Sequence, residues 1–196
     1  KSFDYVIHMF VFKKKYFLII ENTKDINLRN IKLTYKFIII YRNTGKKQNI
    51  DALFKFRRNC KLKKIDFIVS NDYKLMVLLD ADGLYISAFN KDLGLSRFKN
   101  SKYKIIGSIH NIKDLNLKIR QGCTYFLYSR LFKVDYKNKK TFLGITKFNL
   151  FKLNRKENIV PLGGIRISNL NKLNLVKANS MALLSEIKKK PAKIFS

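Results

Sequence analysis

Asn158–Leu162 (NIVPL) leads straight into Gly163-Gly164-Ile165, and a second apolar run, Ser180–Leu184 (SMALL), follows before a serine at 185. Both runs are almost continuously apolar, the pattern of parallel strands covered on two faces rather than one. Six earlier runs have the same character: Tyr16–Glu21 (YFLIIE), Phe37–Tyr41 (FIIIY), Asp66–Val69 (DFIV), Gly83–Ser87 (GLYIS), Tyr103–Ser108 (YKIIGS) and Thr124–Tyr128 (TYFLY). Several intervals between them are long enough for a crossover helix. Ile50–Leu62 sets Leu53, Phe54, Phe56 and Cys60 at helical spacing, and Ile112–Gln121 lies between an N-cap residue, Asn111, and a C-cap residue, Gly122. Asn169–Val176 gives a shorter helical stretch and Asn22–Tyr35 a weaker one. Eight strands in 196 residues leave about 25 residues per βα unit, near the lower limit for a (β/α)8 barrel. The expectation is an α/β chain forming one compact TIM barrel over residues 16–196, preceded by an N-terminal extension, 1–15. An open doubly wound sheet competes, because periodicity does not separate the two.

Composition narrows the function classes. The chain has 42 Lys and Arg against 13 Asp and Glu, a formal charge of +29. That excess invites a nucleic-acid partner, but no RNP, KH or zinc-finger pattern accompanies it. Tyr16, Phe37 and Tyr41 sit inside strand-like runs and read as core. Abundant Lys, Asn, Ile, Phe and Tyr, with 2 Pro and 8 Gly, fit AT-rich coding, and a basic surface also steers anionic substrates. A basic RNA-associated protein is therefore the remote alternative. No run reaches the ~20 apolar residues of a membrane span. Cys60 and Cys123 form no CxxC pair or disulfide framework, which suits a reducing cytoplasm. Lys13–Lys15 follow the first apolar patch instead of preceding it, unlike a signal peptide, and the absent initiator Met suggests trimming or an incomplete start.

Walker A, GxGxxG, HExxH and paired zinc-ligand spacings are absent. The informative positions lie at strand C-terminal ends, where both α/β architectures hold ligands. Gly163 and Gly164 let backbone N–H groups approach an anion closely. In a barrel they would end strand seven, with Leu184 and Ser185 ending strand eight, the usual place for a phosphate cup.

On these residues the chain resembles the thiamine phosphate synthase and thiazole tautomerase family. Val160–Ile165 followed by 179–187 is similar to that family's closing segment. Ile38–Asn43 (IIIYRN) resembles its second strand with an arginine, Arg42. Ile68–Gly83 resembles the third strand through the Ala81-Asp82-Gly83 signature, Ile106–Asn111 (IGSIHN) the fifth-strand segment with Ser108 and His110, and Ser129–Lys137 the sixth loop. The resemblance implies a (β/α)8 barrel that joins a hydroxymethylpyrimidine pyrophosphate to a thiazole phosphate, with Mg²⁺, and homo-oligomers. It matches Arg42 and Lys137 to pyrophosphate-binding cations, Ser108 to a hydroxyl nearby, and Gly163, Gly164, Leu184 and Ser185 to the thiazole-phosphate cup. Arg42 also suits a simple salt bridge, and Lys137 stands among Lys133, Lys139 and Lys140.

The departures matter as much. The metal-binding aspartates fall at Asn71 and Asn90, which offer neutral carbonyls where a hard cation prefers carboxylate. A one-residue shift would bring in Asp72. The second-strand glutamine and lysine appear as Ile40 and Thr44. The tautomerase branch lacks the metal pair too, but its catalytic histidine falls at Arg130. His8 reads as incidental. His110 is the candidate base, although it also suits a helix start satisfied by backbone. The leading expectation is a thiamine-biosynthesis synthase, and the alternative is a tautomerase or a non-catalytic thiazole-phosphate binder.

Overall fold

Strands that are apolar at every position need cover on both faces, and a closed barrel wrapped by helices supplies it. The computed structural model describes residues 14–31, 33–45, 49–134 and 141–184. It contains eight parallel strands: β1 (Lys15–Ile20), β2 (Phe37–Tyr41), β3 (Asp66–Ser70), β4 (Gly83–Ile86), β5 (Lys104–Ile109), β6 (Tyr125–Ser129), β7 (Asn158–Leu162) and β8 (Ser180–Leu183). They pair in sequence order and close, with β1 against β8 from Lys15↔Ser180 to Leu18↔Leu183. The open sheet is thereby excluded. β1 begins one residue ahead of the boundary drawn from the sequence.

Alternate residues of each strand divide the core in two. Phe17, Ile19, Ile38, Ile40, Ile68, Tyr85, Ile106, Leu127, Val160, Leu162 and Ala182 pack inside the barrel. Tyr16, Leu18, Ile20, Ile39 and Phe67 point outward to the helical layer. The aromatics assigned to the core, Tyr16, Phe37 and Tyr41, are all buried.

The helical layer is thin. Four α-helices occur among the described residues: α1 (Ile50–Leu62), α2 (Tyr73–Leu78), α3 (Ile112–Arg120) and α4 (Gly144–Lys152). Asn49, Asp72 and Asn111 cap the first three by accepting the N–H of Ala52, Leu75 and Asp114, each at 2.9 Å. Gly122 ends α3 at φ +85°, a left-handed value that suits glycine. The remaining crossovers are 3-10 turns. Asn22–Tyr35 is not a helix but the turns Thr23–Asp25, Leu28–Asn30 and Thr34–Lys36, because Asn22 and Asn27 each bond the amide two residues on and stop propagation. Ile167–Leu175 is likewise 3-10 with a break at Asn169. Short crossovers of this kind let a small chain complete eight strands. No helix among the described residues is long and apolar enough to cross a membrane.

The Ala81-Asp82-Gly83 stretch lies at the N-terminal end of the barrel, away from ligand sites. Asp82 accepts the Phe67 N–H at 2.7 Å and pairs with buried Arg57 at 3.0 Å, whose Nε and Nη2 also reach the Asp80 carbonyl at 2.9 and 2.6 Å. This signature is structural: it locks α1 to the start of β4.

Cys60 and Cys123 are buried free thiols. Burial pushes both up to about 12 from an ordinary 9.0, against the opposing charges of Arg57 and Lys118 respectively. A raised folded value adds stability that is whole below the unfolded pKa and is lost as pH climbs from 9.0 to about 12. Neither thiol should react with Ellman's reagent in the native protein near neutrality, both should react in denaturant, and the denaturation midpoint should fall across that alkaline window. Rapid native labelling would contradict the burial.

Candidate active site

The inward parity of each strand, carried one or two steps beyond its end, places a polar or small residue at the C-terminal mouth. From β1 comes Glu21, from β2 Arg42, from β3 Ser70, and from β4 Tyr85 and Ser87. Ser108 and His110 follow from β5, Ser129 from β6, Gly164 from β7, and Ala182 and Leu184 from β8. All of them, with Asn71, Phe89, Arg130 and Gly163, line one cavity of about 770 Å³, a size that suits a small-molecule site.

One side of the mouth is built from glycine. The ends of β7 and β8 are paired at Leu162↔Ala182. Gly163 and Gly164 adopt φ +95° and +69°. A Cβ on Gly164 would lie 2.5 and 2.6 Å from the Phe132 and Lys133 carbonyl oxygens, and one on Gly163 would meet Arg130 Cγ at 3.1 Å. The turn therefore presses against the loop after β6, where the Phe132 N–H donates to the Gly163 carbonyl at 3.0 Å. Asn169 Nδ2 donates to the Gly164 carbonyl at 2.8 Å, while the Gly164 N–H has no acceptor among the described residues. Leu184 lines the cavity beside it. Ser185, Lys137 and His8 lie outside the described residues.

The opposite side carries charge. Arg42 Nη2 pairs with Glu21 Oε1, so the salt-bridge reading of Arg42 holds in part. Its Nε is buried with no partner among the described residues, a donor that costs about 1–3 kcal/mol unless a ligand or water satisfies it. Burial raises the pKa of the Tyr85 phenol, against the Ser108 hydrogen bond and the Arg42 charge. Tyr85 thus stays a neutral phenol beside Ser108. His110 Nδ1 stands 3.1 Å from both the carbonyl and the hydroxyl of Ser129, while the His110 backbone N–H donates to Asp114 Oδ2 at 2.8 Å. The helix-start reading of His110 therefore holds for its backbone, and its ring nonetheless faces the cavity.

The matched metal positions also meet. Asn71, at φ +57°, accepts the Ser87 N–H at 2.9 Å and lies 3.5 Å from Asn90 Nδ2. Asp72 caps α2 through Oδ1 and also lines a cavity at the ends of β2 and β3 with Arg42, Ser70 and Asn71. Neither Asn71 nor Asn90 brings a carboxylate, and no cluster of three His, Cys, Asp or Glu occurs among the described residues. Sequence reasoning missed Glu21, Tyr85, Phe89 and Ser129. Strand parity extended past each strand end would have found Glu21, Tyr85 and Ser129. Phe89, 87% exposed on the rim, carries no such signal.

Eight parallel strands with a polar, glycine-edged mouth define a (β/α)8 barrel with one cavity at the C-terminal ends of its strands. Comparison with known proteins agrees. The sequence model described as thiamine monophosphate synthase matches residues 17–187, and the chain belongs to that family. The thiamine-phosphate synthase of Pelagibacter ubique is 32% identical over 181 residues, 87% of each chain. That of Prochlorococcus marinus strain SARG is a longer protein, 28% identical over 131 residues that make up 65% of this chain and 37% of its own. Among solved structures, thiamine phosphate pyrophosphorylase from Pyrococcus furiosus superposes with a TM-score of 0.71 at 14% identity, over 93% of this chain and 94% of that one. At that identity the likeness is one of fold.

Proposed function

We propose that this chain joins a hydroxymethylpyrimidine pyrophosphate to a thiazole phosphate and releases pyrophosphate. The C–O bond between the pyrimidine methylene and the pyrophosphate breaks with its electron pair leaving on the pyrophosphate. The thiazole ring nitrogen then supplies the pair that forms the new C–N bond, and no proton is exchanged. Fixed donors aimed at the growing negative charge are the main means of lowering such a barrier. The reading rests on one observation: Gly164 at the β7–β8 join and Arg42 at the end of β2 line the same cavity. The first suits a phosphate monoester and the second a departing pyrophosphate. Tyr85 and Ser108 add neutral donors between them.

Calorimetric titration with thiazole phosphate should give saturable binding, and a coupled assay with both substrates should form product. Arg42→Ala should leave thiazole-phosphate affinity nearly unchanged while lowering turnover of the pyrophosphate by about 10²–10³-fold. Absence of thiazole-phosphate binding at millimolar ligand would overturn the reading.

His110 favours a second activity. In the tautomer that donates Nδ1–H to the Ser129 carbonyl, Nε2 is left as a base. That suits proton transfer on a thiazole carboxylate phosphate, as in the tautomerase branch. Loss of tautomer interconversion in His110→Ala, with condensation intact, would mark this activity.

A further inference from the structure

The α3 helix carries a lysine where its buried stripe calls for an apolar residue. Leu115 and Lys118, three apart on one helical face, are the two buried residues of that helix, and Lys118 is fully buried. Room for its stem comes from Gly107 of β5, where a Cβ would lie 2.9 Å from both Lys118 Cγ and Cys123 Sγ. No ion pair among the described residues involves its ammonium. Instead, Nζ donates to the Asn90 carbonyl at 2.7 Å and to Gln121 Oε1 at 2.8 Å. Gln121, also fully buried, donates through Nε2 to the carbonyls of Asn90 and Asp92 at 3.1 and 2.9 Å.

Both carbonyls belong to the loop that leaves β4 at the mouth. Ser87, Ala88 and Phe89 of that loop line the cavity. Its own bonds give it one shape: the Asn90 N–H donates to the Ser87 carbonyl at 3.1 Å, the Asp92 N–H to Asn90 Oδ1 at 3.0 Å, and the Ser87 N–H to Asn71 Oδ1 at 2.9 Å. None of residues 87–92 is itself buried, so the loop is anchored by Lys118 and Gln121 and not by apolar packing of its own. Burying an ammonium with no carboxylate bonded to it opposes folding, and an apolar residue of the same shape would serve a purely structural helix position as well or better. What the charge supplies is a charge-assisted hydrogen bond, about twice as strong as a neutral one, applied to a wall of the mouth.

We propose that Lys118 and Gln121 are positioning residues for the condensation: from beneath, they fix the loop 87–92 as the wall against which the pyrimidine pyrophosphate lies. In the eight-strand order β4 stands opposite β8, so this wall is across the mouth from the glycine turn that receives the thiazole phosphate. The proposal rests on the synthase reading but fails separately from it.

Lys118→Met keeps the stem and removes the donor. The variant should melt no lower than the parent, and amide hydrogen exchange over 87–92 should quicken. With saturating thiazole phosphate, kcat/KM for the pyrimidine pyrophosphate should fall about 10–100-fold, while calorimetric affinity for thiazole phosphate stays unchanged. Gln121→Glu keeps the shape and gives Lys118 a carboxylate, but turns an oxygen toward the Asp92 carbonyl where a donor stood. It should show the same pattern, and it carries the test if Lys118→Met does not fold. A lower melting temperature with unchanged kcat/KM for the folded fraction would make the pair merely structural and overturn the proposal. So would an equal loss of thiazole-phosphate affinity, or loop exchange at the parental rate. A parent that forms product while both variants match it retains the proposed function and discards the positioning role. A parent that forms no product discards both.

Discussion

Gly83→Ala should cost the protein at least about 3 kcal/mol, equivalent to a melting temperature roughly 6–12 °C lower for a chain of this size. Gly83 opens β4 and is paired with Lys104 of β5. A Cβ there would lie 2.0 Å from the Lys104 carbonyl oxygen and 2.8 Å from its carbonyl carbon and its nitrogen. All three atoms are backbone, so no side chain can swing aside. Relief requires β4 and β5 to part at the end where Asp82 and Arg57 already fix the chain. Against a total stability of about 5–15 kcal/mol, the variant should still fold but keep a visibly narrower margin. A cooperative transition within a couple of degrees of the parent would refute the packing described.

The second large effect falls on the ligand. Gly164→Ala should weaken thiazole-phosphate binding by about 10–100-fold, the equivalent of one charge-assisted hydrogen bond. The added methyl collides with two carbonyl oxygens of the loop after β6 at φ +69°, so the turn must rotate and its N–H leaves the cavity. Backbone strain alone is separated by Gly45→Ala, which has φ +84° but nothing within 4 Å of the new Cβ. That control should lose about 1–2 kcal/mol of stability and bind ligand normally. Equal affinity in the two variants, measured by calorimetry, would show that the β7–β8 amides do not hold the phosphate.

What was legible in the sequence was whatever depends on neighbours along the chain. The strands show because burial on both faces makes FIIIY or TYFLY apolar throughout, and α1 and α3 show because Asn49, Asn111 and Gly122 mark their ends. The α2 helix is six residues of near-continuous apolar character without helical periodicity, and α4 follows Leu143, which offers no side-chain cap, so neither announces itself. Contacts between distant segments were hidden. Lys118 looks like part of the solvent face of a polar helix, yet a missing side chain at Gly107, on another element, lets it bury. The partnership of Arg42 with Glu21 depends on the β1–β2 register, and the meeting of Asn71 with Asn90 depends on β3 lying against β4. The resemblance placed Arg42, Ser108, His110, Gly163 and Gly164 at what proves to be one cavity, but it could not say which hydrogen bonds each had already made.

The closure of β1 on β8 has a consequence for biogenesis. Seven of the eight strand seams join segments adjacent in the chain, and one joins its two ends. While the polypeptide is being made, β1 and the newest strand each expose a bare row of amide and carbonyl groups, a template on which another nascent copy can add. The seam that removes both edges forms only after the last strand emerges, and its long loop closure makes it slow. The few residues of β8 thus decide late, and all at once, between a closed ring and intermolecular aggregation.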